Sequence, residues 1–347
     1  MQLHTADKSK RPIILWLLSG CLLIFLMVII GGITRLTGSG LSITEWDVIM
    51  GAIPPLNAHD WQVAYEKYRH SPQFEKVNFD MGLDAFKSIF FWEYLHRLAG
   101  RLTGVVFLVP FLYFLLTKKF TSALIKKTLI IFLLGALQGF LGWFMVKSGL
   151  VNDPYVSHYR LAAHLITAFI TFGYIFWVAL GLIFNEGKTL ATKKLHASIP
   201  VLLLVLIMIQ VIYGALVAGL HAGRIYNTFP KMGSDWIPGA VTAMQPGWRN
   251  LLENLAGVQF IHRCVAWCVT LGIVTLWLWS GRNNINPATA KAIKILLLAV
   301  LVQFTLGIIT LLWAVPVTMG VLHQAGAFAL FAAAIHFMFQ NSRVARQ

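Results

Sequence analysis

Four histidines stand at matched places in apolar surroundings: His96 in FFWEYLHRLAG (residues 90–100), His164 in RLAAHLITA (160–168), His262 in QFIHR (259–263) and His323 in MGVLHQAGA (319–327). A neutral imidazole offers one nitrogen donor, and two from facing helices suit the axial positions of a haem iron. Zinc would instead want four ligands gathered in a tetrahedron. The histidines pair as two and two, 68 residues apart from His96 to His164 and 61 apart from His262 to His323, which favours two sites of two ligands each. Each lies about seven residues past the expected start of its helix, so a rise of about 1.5 Å per residue sets all four about 10 Å deep on one side. At i+4 stand Gly100, Ala168, Ala266 and Ala327, small residues that either make room for a flat macrocycle or let helices pack closely.

The charged neighbours break the symmetry. Charges inside a membrane are costly and tend to be functional. Glu93 precedes His96 by three residues on the same helical face, and its counterpart before His262 is Gln259. A carboxylate can take or give a proton and an amide cannot, so the first half is equipped for chemistry and the second for holding a redox cofactor. The competing reading is that Glu93 neutralises Arg97 at i+4. Arg97, Arg101, Arg160 and Arg263 sit beside the histidines, where they either pair with haem propionates or snorkel toward headgroups. Among the other histidines, His4, His59, His70, His158, His196 and His221 lie in loops or too near the surface. His336 follows His323 by 13 residues, but the matching positions elsewhere are Val109, Trp177 and Thr275. Without a second layer of ligands, a cytochrome carrying electrons from face to face is disfavoured.

Membrane helices must position these residues. The chain has 347 residues, 58% hydrophobic and 12% charged, with a mean hydropathy of +0.71. Residues 12–34, 89–117, 128–146, 161–185, 195–223 and 254–281 are apolar runs that can each cross a bilayer, which takes about 20 residues of helix. Residues 295–342 carry no charge and hold two more spans with a turn near Pro316. The fold class is therefore an all-α integral membrane protein of eight transmembrane helices. The first 11 residues are too short and Lys-rich for a transit peptide, and residues 12–34 lack a clear cleavage site, so they form an uncleaved first helix.

The net charge of +15 is explained by position. With both termini inside, the inner segments hold 15 bases (Lys8, Lys118 and Lys193 among them) against Asp7 and Glu186, while outer segments hold 10 of each sign. This is the positive-inside asymmetry and excludes a nucleic-acid patch. Cys21, Cys264 and Cys268 fall within spans and none lies in an outer loop, so an outer disulfide is excluded; all three read as small buried residues.

The chain is also written twice. EYLHR (93–97) answers to QFIHR (259–263), LQGFLG (137–142) to VQFTLG (302–307), and RLAAHLITA to MGVLHQAGA; GGITRLTGSG (31–40) matches GALVAGLHAG (214–223) with glycines offset by 183. An even number of spans per half makes this a parallel repeat: two four-helix bundles, residues 1–190 and 191–347. The outer loops 38–88 and 220–253 are long, the inner ones short and basic.

GGITRLTGSGLSITEW (31–46), EYLHRLAGR (93–101), DPYVSHYRLAAHL (153–165), GLHAGRIYNTFPKM (219–232), QFIHR (259–263) and VLHQAGA (321–327) resemble haem A synthase, in the proteobacterial and mitochondrial branch that lacks outer-loop cysteine pairs. The resemblance spans nearly the whole chain. GLHAG departs from it, since an acidic residue is expected at His221. The resemblance implies that haem O is the substrate, with one porphyrin methyl oxidised through an alcohol to a formyl group, giving haem A for the terminal cytochrome oxidase. It further implies haem b as cofactor, its iron held by His262 and His323 with Arg263 nearby, and substrate haem held by His96 and His164 with Arg97 and the catalytic Glu93 beside it. A haem O-forming farnesyltransferase would act upstream, with an electron acceptor that is not identified, in the bacterial inner membrane with both termini cytoplasmic. The alternatives from other classes are a haem carrier or transporter and a quinol-linked b-type cytochrome; a carrier needs no proton-transfer group beside one site alone.

Overall fold

A computed structural model describes residues 8–45, 53–184, 189–190 and 195–345. His4, Trp46 of the first outer motif and the inner charges Asp7, Glu186, Lys188, Lys193, Lys194 and Arg346 lie outside the described residues. Among the described residues, eight helices are long and apolar enough to cross a membrane: α1 (Arg11–Leu36), α2 (Leu83–Leu116), α3 (Ser122–Ser148), α4 (His158–Ile183), α5 (Ser198–Gly219), α6 (Leu255–Gly281), α7 (Pro287–Leu312) and α8 (Val317–Ser342). The chain is an all-α, multi-pass membrane protein, as its hydropathy requires.

The helix starts are chemically marked. The Thr121 hydroxyl accepts from the Leu124 amide ahead of α3, Asn254 accepts from Ala256 and Gly257 ahead of α6, and Asn286 accepts from Ala288 ahead of α7 with Pro287 in its first turn. Each satisfies amides that a helix leaves unpaired at its beginning. Several spans are longer than their apolar runs: α3 begins at Ser122, six residues early, and carries Lys126 and Lys127. α7 begins at Pro287, so Lys291 and Lys294 ride on its inner turns. α2 begins at Leu83, six residues before the apolar run, because Phe86 is fully buried in an aromatic cluster outside the span.

That cluster belongs to one of two compact units into which the chain divides, Leu23–Ala168. Within the outer loop, a helix over Ala58–Arg69 is capped by Asn57. Tyr68, Phe74, Phe86, Ile89 and Phe90 form a buried core there, with Trp61 and Tyr65 packed on it. Deeper in this unit, Phe107 and Phe111 of α2 meet Phe132 of α3 edge-on at 5.1 and 4.8 Å. Thr34 of α1 donates to the Trp92 carbonyl of α2 at 3.2 Å.

The other unit comprises Met1–Leu22 and Phe169–Gln347, boundaries that differ from those of the sequence repeat. Its helices close a ring: α5 packs on α6 and α8, and α7 on α6 and α8. Phe328 of α8 sits edge-on to Phe169 and Phe172 of α4 at 5.1 and 4.3 Å, contacts of the van der Waals kind that hold helices together where lipid removes the hydrophobic drive. A parallel pairing of Thr189–Leu190 with Val344–Ala345 adds two residues of strand.

The cysteines need a correction. Cys21 is buried, but Cys264 and Cys268 are exposed on α6. A spacing of four puts both on one helical face, and that face points away from the ring of helices, so composition alone misplaced them.

Candidate functional site

Each predicted histidine lies against a glycine of the preceding helix. Gly31 of α1 faces His96, Gly142 of α3 faces His164, Gly214 of α5 faces His262 and Gly307 of α7 faces His323. A Cβ added at these glycines would stand 2.9, 3.2, 3.3 and 2.9 Å from the ring Cε1. Any side chain would push the imidazole away, so the missing Cβ is what lets the ring reach the neighbouring helix. His96 lies near enough to His164, and His262 to His323, for each pair to interact electrostatically. The four histidines thus come together as the two predicted pairs.

Glutamines complete three of the four contacts. Gln138 Nε2 lies 3.4 Å from His164 Nε2, Gln210 Nε2 3.3 Å from His262 Nε2 and Gln303 Nε2 3.2 Å from His323 Nδ1. Gln138 also donates to the His164 carbonyl at 3.1 Å.

Glu93 is 3% exposed and well partnered. Its Oε2 accepts from the Ser42 hydroxyl at 2.7 Å and the Ile43 amide at 2.8 Å, and its Oε1 accepts from Arg97 at 2.7 Å. Arg97 in turn donates to the carbonyls of Ile43 and Glu45. In the second half, Arg263 donates to the carbonyls of Tyr226 and Thr228, and of Lys231 as well. Ile43 and Tyr226, like Glu45 and Thr228, are 183 residues apart, so the repeat offset continues through the loop. The turn geometry repeats with it: Gly38 and His221, again 183 apart, both adopt positive φ, 68° and 55°. Both arginines are thus latches for the segment that follows the preceding helix. At the position of Glu93, Gln259 donates to the Tyr226 carbonyl at 3.3 Å and its Oε1 has no partner. Arg160 donates to the Phe144 carbonyl and lies 3.7 Å over the Phe144 ring.

Residues 14–335 match the COX15-CtaA family of cytochrome oxidase assembly proteins. The chain is 48% identical to the haem A synthase of Nitrosomonas eutropha over 338 residues, covering 94% of this chain and 93% of that protein. It is 44% identical to the haem A synthase of Flavobacterium psychrophilum over 97% of this chain and 100% of that protein, and 44% identical to that of Parvibaculum lavamentivorans over 96% and 95%. The chain belongs to the haem A synthase family.

The residues fit the haem that membership in the haem A synthase family implies. Among the described residues no three His, Cys, Asp or Glu side chains converge as a metal cluster, and the imidazoles of His96, His164, His262 and His323 are the donors that could meet a haem iron. Nδ1 of His164 and Nδ1 of His262 are buried without a hydrogen-bond partner. A buried unpaired nitrogen is a cost that a ligated metal removes. The four glycines, Gln138 and Gln303 were within the repeated strings of the sequence and Gln210 just ahead of one, but their role was not legible there: a glycine in a membrane helix reads first as helix packing, and only the placement of the rings shows what it admits.

Proposed function

We propose that His262 and His323 hold haem b as a resident cofactor, and that His96 and His164 hold the iron of haem O while one of its methyl groups is oxidised to a formyl group. Conversion of haem O to haem A is the activity that goes with the family, and the chain is an oxidoreductase of haem A biosynthesis. The observation that carries the division of labour is the asymmetry at one matched position: a buried carboxylate, Glu93, stands one turn before His96, and an amide, Gln259, before His262.

Oxidising a methyl group through the alcohol to a formyl group, with water as the source of the oxygen atom, releases protons and electrons, and Glu93 is the ionisable group that can take a proton there. Its Oε1 accepts from Arg97 alone, whereas Oε2 is tied to Ser42 and Ile43, so Oε1 is the atom to which the proton goes. Arg97 and the Ile43 amide hold the carboxylate in place as it does so, in the manner of a positioned general base. Haem b, when bound, supplies a one-electron relay toward an acceptor elsewhere. Residues 1–190 form the substrate half and residues 191–347 the haem b half. Arg97 and Arg263 tie their outer loop segments to α2 and α6 beside the histidines and leave propionates a basic rim.

The protein then lies in the bacterial inner membrane with both termini cytoplasmic, where inner loops rich in Lys and Arg belong. A farnesyltransferase that forms haem O is the upstream partner. The decisive experiment is pigment analysis of membranes with and without the chain: haem A should appear only with it, and haem O should accumulate without it. Equal haem A in both would overturn the reading.

A further inference from the structure

The glycine that admits each histidine is preceded, four residues earlier, by Gln138 on α3, Gln210 on α5 and Gln303 on α7, but by Met27 on α1. The three amides all reach the ring of the histidine on the next helix, at 3.2–3.4 Å from a ring nitrogen. Their carbonyl oxygens, Oε1 of Gln138, Gln210 and Gln303, are all buried without a partner, and so are Nδ1 of His164 and His262. A half-turn of each amide exchanges its oxygen and nitrogen and offers an acceptor to the facing ring N–H, which pairs the glutamine oxygen and leaves Nδ1 of His164 and His262 bare, at the cost of the Gln138 bond to the His164 carbonyl. An acceptor on one ring nitrogen fixes the tautomer, leaves the other nitrogen bare for a metal and makes it the stronger donor. Met27 can do none of this. Its methyl lies beside Gly100, one turn past His96, where an added Cβ would stand 3.6 Å from it.

We propose that Gln138, Gln210 and Gln303 are positioning residues for three of the four ligands, and that Met27 leaves His96 as the exchangeable one. The inference rests on the reading that these histidines bind haem. The C-terminal pair is then held on both sides, as a resident cofactor requires. The N-terminal pair is held at His164 alone, as suits a site whose haem arrives as substrate and departs as product. Nothing else on α1 offers His96 an amide at this register.

The test uses the full chain purified in detergent. Gln210→Leu and Gln303→Leu should release C-terminal haem to excess apomyoglobin about 10- to 100-fold faster, the usual effect of removing a partner of a metal-bound histidine. They should also raise the midpoint potential of that haem, because a weaker donor stabilises the ferric state less. Gln210→Glu and Gln303→Glu, which keep a stronger acceptor, should shift the potential the opposite way. Met27→Gln should slow haem release from the N-terminal site about tenfold or more, and Met27→Leu should behave as the parent. Leu and Glu variants that shift the potential in one direction, Met27→Gln with unchanged release, or Met27→Leu with altered release would each overturn the inference. His262→Ala separates it from its premise: if that variant loses the haem spectrum while the glutamine variants leave potential and release untouched, only the inference falls. If it keeps the spectrum, the haem-binding reading falls and the inference with it.

Discussion

Substituting Glu93 by Gln separates its two roles, structural anchor and proton acceptor. The Glu93 and Arg97 side chains are 4% and 11% exposed, and breaking a buried ion pair from one side costs about 3–5 kcal/mol where the remaining charge is stranded. Arg97 is not stranded, since the carbonyls of Ile43 and Glu45 still accept from it. The expected penalty is therefore nearer that of one hydrogen bond to a charged group, about 1.5–3 kcal/mol, and the amide at Gln259 beside Arg263 indicates that the fold accommodates the change. Haem A formation per folded molecule should fall much further, about 10²–10⁴-fold, the range for losing a general acid or base. Haem O or its alcohol should accumulate, and Glu93→Asp should be intermediate. Ser42→Ala is the control, because it removes one donor to Oε2, costs a similar amount, about 1.5–3 kcal/mol, and leaves the carboxylate. Thermal unfolding measures the structural loss and extracted haem types measure the chemical one. Normal haem A output from a well-folded Glu93→Gln protein, or an equal loss in Ser42→Ala, would refute the catalytic role.

Three further outcomes follow from the geometry. His262→Ala and His323→Ala should each remove a low-spin bis-histidine signal from the purified protein, read by visible spectroscopy; full retention in both would refute the C-terminal assignment. Gly31→Ala and Gly307→Ala should lower haem content more than Gly142→Ala and Gly214→Ala, because the new Cβ would stand at 2.9 Å from the ring and not at 3.2 or 3.3 Å; the pyridine haemochrome assay ranks them. A phosphatase active only in the periplasm, fused after Gln347, should stay silent if the C-terminus is cytoplasmic.

The eight spans were legible in the sequence because a bilayer imposes a length and an apolarity that composition cannot hide. The two histidine pairs were legible because the chain repeats itself, so four residues could be compared with one another. Less was legible where a side chain works through a neighbour on another helix. The glycines opposite the rings belong to strings already seen to repeat, yet spacing along one helix says nothing about which ring fills the place of an absent Cβ. The arginines were open to propionates or headgroups and, for Arg97, to Glu93 at i+4; that ion pair is present, and Arg97 and Arg263 also hold the segment that follows the preceding helix, contacts 32 to 54 residues away along the chain. The outer-loop aromatic core was hidden for the same reason, since Tyr68 and Phe86 meet only after the loop folds back on α2.

A duplicated bundle begins with two equivalent sites, and its function is set by the matched positions at which the copies part. The loop carbonyls that receive Arg97 and Arg263 keep the 183-residue offset, so the frame around both sites has been held while individual side chains changed. Three differences lie on that frame. Glu93 against Gln259 gives one site a proton acceptor. Met27 against Gln210 withdraws an amide from one histidine of the same site. Ser42 against Ile225 supplies the hydroxyl that ties Oε2 of Glu93. All three fall on the N-terminal site, and the first and third act on a single carboxylate. Ile225 in the second half offers no such donor, and Gln259 there leaves its Oε1 unpartnered. The carboxylate, its hydroxyl partner and the unheld histidine are thus one local departure from a common pattern, placed at the site proposed to alter haem and let it go.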